Sequence, residues 1–190
     1  MTFALYLTGV PGVGKSTVAR LVESTAGAAR YSYGEILTAA LGDRVRTQAE
    51  LRRESSSVIS AADVAAADSF VRQELKQNRG RRHSVVDSHA VTAETYGMRA
   101  VPFARADLAA LAISHIVCLT ASENVIRTRL RDASEGRREQ DSTDFELHQG
   151  LQASLALAYA VELGVPVGFI RADRPLDTVM SDVLKFVGAE

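Results

Sequence analysis

Tryptophan is absent from the 190 residues, cysteine occurs once, and only three of the 22 basic residues are lysine, which leaves 19 arginines. One cysteine excludes a disulfide framework within the chain. Cys118 lies in the apolar run HIVCLT, the setting of a buried structural thiol rather than of a nucleophile. No apolar run approaches the ~20 residues that a membrane-spanning helix needs. The N-terminus opens directly on an apolar strand, with neither a basic region nor a small-residue cleavage site before it, and a cytoplasmic protein is expected. A formal net charge of -1 gives no general attraction to nucleic acid or to an anionic membrane, so neither is an expected partner. The excess of arginine over lysine reads mostly as composition bias. Because the guanidinium fork suits bidentate phosphate contacts, the places where arginines cluster are weighed separately.

What is present alternates between two periods. The short apolar runs FALYLT (3–8), SVVD (84–87), HIVCLT (115–120) and VPVGFI (165–170), with the weaker ARYSYG (29–34), predict five buried parallel strands. Helical patterns occupy 15–26, about 34–41, about 47–77, 105–112, 122–132, 145–163 and 175–187. The alternation predicts an α/β fold, a three-layer α/β/α sandwich around a five-stranded parallel sheet. One domain spanning 1–190 is expected, with appendages where apolar residues thin out, at 42–57 and 132–144.

The first of those strands runs into TGVPGVGKST, residues 8–17, which fits G-x-x-x-x-G-K-[ST] with Gly9, Gly14, Lys15 and Ser16 at the fixed places. Such a loop wraps a phosphate with backbone N–H groups and adds the positive end of the following helix. The whole segment Gly9, Val10, Pro11, Gly12, Val13, Gly14, Lys15, Ser16 and Thr17 is the expected donor site. Lys15 is placed to reach the β- and γ-phosphates and the Ser16 hydroxyl to ligate Mg²⁺. SVVDSHA puts Asp87 at the C-terminal end of a buried strand, where ligand sites of open α/β sheets lie. There it can hold the metal, directly or through water, or simply cap a turn. His89 can bond a substrate phosphate or satisfy loop backbone. No N-K-x-D and no D-x-x-G after the second strand occurs, which disfavours a GTPase switch. The length leaves no room for the helical lid domain of an AAA-type motor. Small-molecule kinases remain.

Two arginine clusters fit that class, because phosphoryl transfer between anions needs positive charge around the travelling group. ELRRES carries Arg52 and Arg53 between the second and third strands. RTRLRDASEGRREQD carries Arg127, Arg129, Arg131, Arg137 and Arg138 around Gly136, the composition of a mobile lid or of a solvated helix end with a polar loop.

Over nearly its full length the chain resembles the archaeal-type adenylate kinases, P-loop nucleoside monophosphate kinases. The resemblance rests on TGVPGVGKST, YSYGEIL (31–37), TQAELRRES (47–55), VVDSHAVTAETYGMRAVP (85–102), RLRDASEGRREQDS and ELHQGLQASLALAYAVELGVPV. It implies Mg²⁺-dependent phosphoryl transfer from ATP to AMP. ATP would lie on the phosphate loop under a short lid at about 131–144, and the acceptor would lie in an insertion at about 34–77. Lys15, Arg129, Arg131 and Arg137 would carry catalysis, Gly34, Arg52, Asp87 and His89 would surround the acceptor, and Ser16 and Asp87 would hold the metal. The family also includes homo-oligomers, so self-association is an expectation. Two departures bear on the acceptor. The family pattern has an arginine on the helix after the lid where this chain has Ala153, beside Gln152. TYGMRAVPF replaces a Leu-Pro-Gly-Leu-Pro run, with Arg99 as a substitute charge. A kinase for another small acceptor (another nucleotide, a nucleoside or a metabolite) and a nucleotide-binding regulator or accessory ATPase without an acceptor therefore stand as alternatives.

Overall fold

The computed structural model describes residues 1–42, 59–94, 97–100, 103, 105–132 and 142–189. β1 (Ala4–Thr8) leads into α1 (Lys15–Ala26), then β2 (Ala29–Ser32), α2 (Tyr33–Leu41), α3 (Ala61–Asn78) and β3 (Ser84–Asp87). A hairpin of β4 (Val91–Glu94) and β5 (Gly97–Ala100) follows. The chain continues through α4 (Arg105–Ala110), β6 (His115–Thr120), α5 (Glu123–Asp132), α6 (Ser142–Leu163), β7 (Val167–Arg171) and α7 (Leu176–Phe186).

Five strands form one sheet in the order β2-β3-β1-β6-β7, and every neighbouring pair is parallel. Alternate residues of each strand enter opposite layers, as the two-residue period of a strand requires. Leu5, Leu7, Val85, Val117 and Leu119 pack with Val18 and Val22 of α1 and with Val179 and Val183 of α7. Tyr6, Val86, Ile116 and Cys118 pack on the other face with Val71 and Leu75 of α3, Leu108 of α4 and Tyr159 of α6. Both faces are covered, which explains why these strands read as unbroken apolar runs. The three-layer sandwich with a five-stranded parallel sheet is thus observed.

The strand order creates a crevice. β1 feeds α1 on one face of the sheet, while its neighbour β3 feeds α4 on the other. Chains leaving adjacent strand ends in opposite directions leave a gap at the C-terminal edge, where open α/β sheets bind ligands. Gly9 and Ser88 are the first residues beyond those two strand ends.

Several boundaries differ from the sequence reading. The last strand starts at Val167 rather than 165, and α6 starts at Ser142 rather than 145. Of the helix expected over 47–77, the described part begins at Ala61. A capping box starts it there, with Ser60 Oγ accepting from the Asp63 N–H and the Asp63 carboxylate accepting from the Ser60 N–H. The expectation for 47–58 lies outside the described residues. The β4–β5 hairpin was not anticipated. Its strands are four residues each and contain Ala, Glu, Gly and Arg, so neither alternation nor β propensity announces them.

Candidate functional site

The phosphate loop is built as its spacing demands. Gly9 has φ 142°, and a Cβ there would lie 2.6 Å from the Leu119 carbonyl oxygen of β6. Gly12 has φ 82°, and a Cβ there would meet Leu130 Cγ at 2.9 Å. Both positions therefore exclude a side chain on two counts, backbone conformation and space. Val10 and Val13 are fully buried and anchor the loop to the core. Gly14 caps α1 with no side-chain hydrogen bond, so the cap residue leaves the first N–H groups of the helix available to a ligand. Lys15 is buried at the first helical position, and its ammonium donates to the Gly9 carbonyl at 2.6 Å and the Val10 carbonyl at 3.0 Å. Ser16 is half-buried and Thr17 exposed.

Asp87 is buried at the end of β3, in register with Leu7 of β1 and Ser32 of β2. The Ser88 N–H extends that pairing by donating to the Leu7 carbonyl at 3.2 Å. His89 is exposed at the same edge. Gly34 is the second residue of α2, two positions beyond the β2 partner of Asp87, and its carbonyl accepts from Thr38 Oγ1 at 2.7 Å. The crevice thus gathers Lys15, Ser16, Gly34, Asp87 and His89. Among the described residues no three His, Cys, Asp or Glu side chains gather into a metal cage. The Ser16 hydroxyl and the Asp87 carboxylate are nonetheless hard oxygen donors of the kind Mg²⁺ takes when phosphates and water complete its shell.

The arginines divide. Arg52, Arg53, Arg137 and Arg138 lie outside the described residues. Arg131 is exposed in the last turn of α5. Arg129 was expected in the lid; instead it belongs to α5 and packs on the phosphate loop. Its guanidinium donates to the Val13 carbonyl at 2.7 Å and to the Ala172 carbonyl at 2.8 Å. Nη1 also stands 3.5 Å from the place a Cβ on Gly14 would occupy. The reason is helical spacing: Ile126 and Leu130 are the buried face of α5, and Arg129 emerges beside that face against the loop. Arg127 is half-buried, bonded to Glu123 at 2.7 Å and lying 4.9 Å over the Phe145 ring.

A second group of residues escaped the sequence reading. Tyr33, at the β2–α2 junction, is buried and donates its hydroxyl to Asp68 of α3 at 2.7 Å. Burial raises the Asp68 carboxyl above its usual value, with the Tyr33 bond and Arg72 partly offsetting it. Burial, then the Asp68 carboxylate, pushes the Tyr33 phenol well above its ordinary range. Phe103 makes edge contacts with Tyr6 and Tyr33, each with centroids 5.9 Å apart, and packs at 5.8 Å on Tyr159. The Tyr6 hydroxyl is fully buried, and burial drives its pKa far up, with the neighbouring Thr8 and Ser88 side chains partly offsetting it. Only the tyrosine content of YSY was visible beforehand; the pairing with Asp68 joins residues 35 positions apart.

The family described as AAA domain matches residues 8–146, from the end of β1 into α6. The chain belongs to that family. Curated relatives extend the match to nearly the full length of the chain. The adenylate kinase of Pyrococcus furiosus is 26% identical, over 98% of this chain and 96% of that protein. The adenylate kinase of Thermococcus sibiricus is 25% identical over the same shares. The resemblance to archaeal adenylate kinases is therefore borne out. Among solved structures, an unliganded sugar kinase from Janibacter sp. HTCC2649 matches with a TM-score of 0.57 at 13% identity, covering 100% of this chain and 96% of that one. A gluconokinase from Sinorhizobium meliloti 1021 matches with a TM-score of 0.56 at 18% identity, covering 98% and 91%. These two structures share the fold. The coarse assignment is a P-loop kinase.

Proposed function

We propose that the chain is a nucleoside monophosphate kinase that transfers a phosphoryl group from ATP to AMP, yielding two ADP. The observation that carries this reading is the near-complete overlap with archaeal adenylate kinases, 98% of this chain against 96% of that from Pyrococcus furiosus. The crevice is consistent with it. The triphosphate of ATP would sit on the N–H groups of the loop and of the first turn of α1. The Lys15 ammonium would exchange the Gly9 and Val10 carbonyls for phosphate oxygens. Mg²⁺ would be held by Ser16 and by Asp87, directly or through water, and would neutralise charge on the donor. Arg129 lends positive charge to the wall of the loop, and Arg131 and Arg137 would reach the donor from 131–144. The acceptor would lie beside Gly34, His89 and Arg52. An acceptor phosphate is already ionised, so no general base is required, and catalysis rests on alignment and charge stabilisation.

One observation favours a second reading, transfer to another small acceptor. From Ser142 to Leu163, α6 has no lysine or arginine, so it lends no cation where the family pattern has an arginine.

The variant Arg52→Ala tests the acceptor side. A charge-assisted hydrogen bond to the acceptor phosphate contributes about 1.5–3 kcal/mol, so the KM for AMP should rise about 10- to 100-fold. The KM for ATP should stay within about twofold under the same placement. Equal rises in both constants would remove Arg52 from the acceptor site.

A further inference from the structure

α6 holds two polar side chains where its neighbours are apolar. His148 and Gln152, one turn apart, are 0% and 1% exposed. Both reach the first residue of the β4–β5 hairpin. The Val91 N–H donates to Gln152 Oε1 at 3.1 Å, and the Val91 carbonyl accepts from His148 Nε2 at 2.9 Å. Gln152 then turns its Nε2 to Thr8 Oγ1 at 2.5 Å. A backbone N–H can only donate, so the amide oxygen must face Val91 and the amide nitrogen must face Thr8. Thr8 is the last residue of β1, and Gly9 follows it into the phosphate loop.

The segment between β3 and the hairpin is thereby pinned at both ends to the same strand. Ser88 is tied to the Leu7 carbonyl, and Val91 is tied through Gln152 to Thr8. Asp87 and His89 belong to this short span. A buried amide with both ends engaged is costly to lose, because each abandoned partner must then stay unsatisfied in the core.

We propose that Gln152 is a positioning residue for phosphoryl transfer. It fixes the span from Asp87 to Val91 relative to the phosphate loop, so that acceptor-side groups face the donor at one distance. The inference rests on the kinase reading above for its kinetic consequence, but the clamp itself is a statement about the fold. Sequence reasoning had placed the interest one residue on, at Ala153.

Four variants of the full chain test it: Gln152→Met, which keeps the shape and loses both bonds; Thr8→Val; those two together; and Thr8→Ser, which keeps the hydroxyl that Gln152 reaches. Hydrogen exchange is followed at 88–91 and at 9–17, and transfer from ATP to AMP is followed at varied concentrations of each. Gln152→Met should speed exchange at 88–91 and leave 9–17 unchanged. It should lower kcat/KM for AMP about 10- to 100-fold, the scale of an ångström of misplacement, with the KM for ATP within about twofold. Thr8→Val should act in the same direction, and the double variant should be no worse than Gln152→Met alone, since both sever one link. Thr8→Ser should keep protection and most of the transfer. Unchanged exchange at 88–91 in Gln152→Met would overturn the proposal. So would loss of ATP and AMP parameters together in proportion to a fall in Tm, the mark of a merely structural amide. If the wild-type protein transfers to no nucleoside monophosphate, the AMP reading fails by itself, and the exchange comparison then decides the clamp alone.

Discussion

Gly12 is not one of the fixed positions of the phosphate-loop pattern, yet it is as constrained as those that are. Its φ of 82° and the approach of Leu130 Cγ and Ile126 Cγ2 leave no place for a methyl group. A residue forced into that backbone region costs about 1–3 kcal/mol, and the crowding against α5 adds to it. Gly12→Ala should therefore lower unfolding stability by at least about 1 kcal/mol, measured by urea denaturation. A variant as stable as the wild type would mean that α5 does not close on the loop as described. The pattern could not show this, because the constraint comes from a helix more than a hundred residues later. Arg129 illustrates the same limit. As a charge in an arginine-rich stretch it reads as a lid residue, and only the packing of Ile126 and Leu130 turns it onto the Val13 carbonyl.

Between elements, the sequence was most legible where one strand or helix meets the core by itself. SVVD and HIVCLT appear with the expected boundaries because parallel strands buried on both faces must be apolar throughout. α1 and its loop are likewise written in the spacing of a few adjacent residues. What was not legible depends on partners distant in the chain: the hairpin held by α6, and the Tyr33–Asp68 pair between the β2–α2 junction and α3. That pair has a consequence for pH. The Asp68 carboxyl titrates higher in the folded protein than in the unfolded chain, with burial as the main cause. Such a group costs stability above its folded pKa and nothing below its unfolded one. Asp68→Asn keeps an oxygen for the Tyr33 hydroxyl and removes the half-buried charge. Its Tm should exceed that of the wild type at pH 8, and the difference should shrink as pH falls through the carboxylate range. A wild type more stable at pH 8, or a gap constant with pH, would contradict a desolvation cost at the half-buried Asp68.

For the whole molecule, strand order decides where chemistry can occur and leaves open on what. The order β2-β3-β1-β6-β7 brings the ends of β1 and β3 together at a crevice, and with them Lys15, Ser16 and Asp87. A sugar kinase and a gluconokinase share this fold at 13% and 18% identity, so the fold by itself does not choose the acceptor. Near-full-length likeness to adenylate kinases points to AMP, while the cation-free α6 weakens that choice. The most direct measurement is therefore the initial rate of ADP formation with MgATP against a panel of acceptors: AMP, the other nucleoside monophosphates, adenosine, gluconate and simple sugars. Fast transfer to AMP is expected, with two ADP formed for each AMP consumed, and no transfer to the sugar hydroxyls. Transfer to gluconate or a sugar with none to any monophosphate, or release of inorganic phosphate alone, would contradict it.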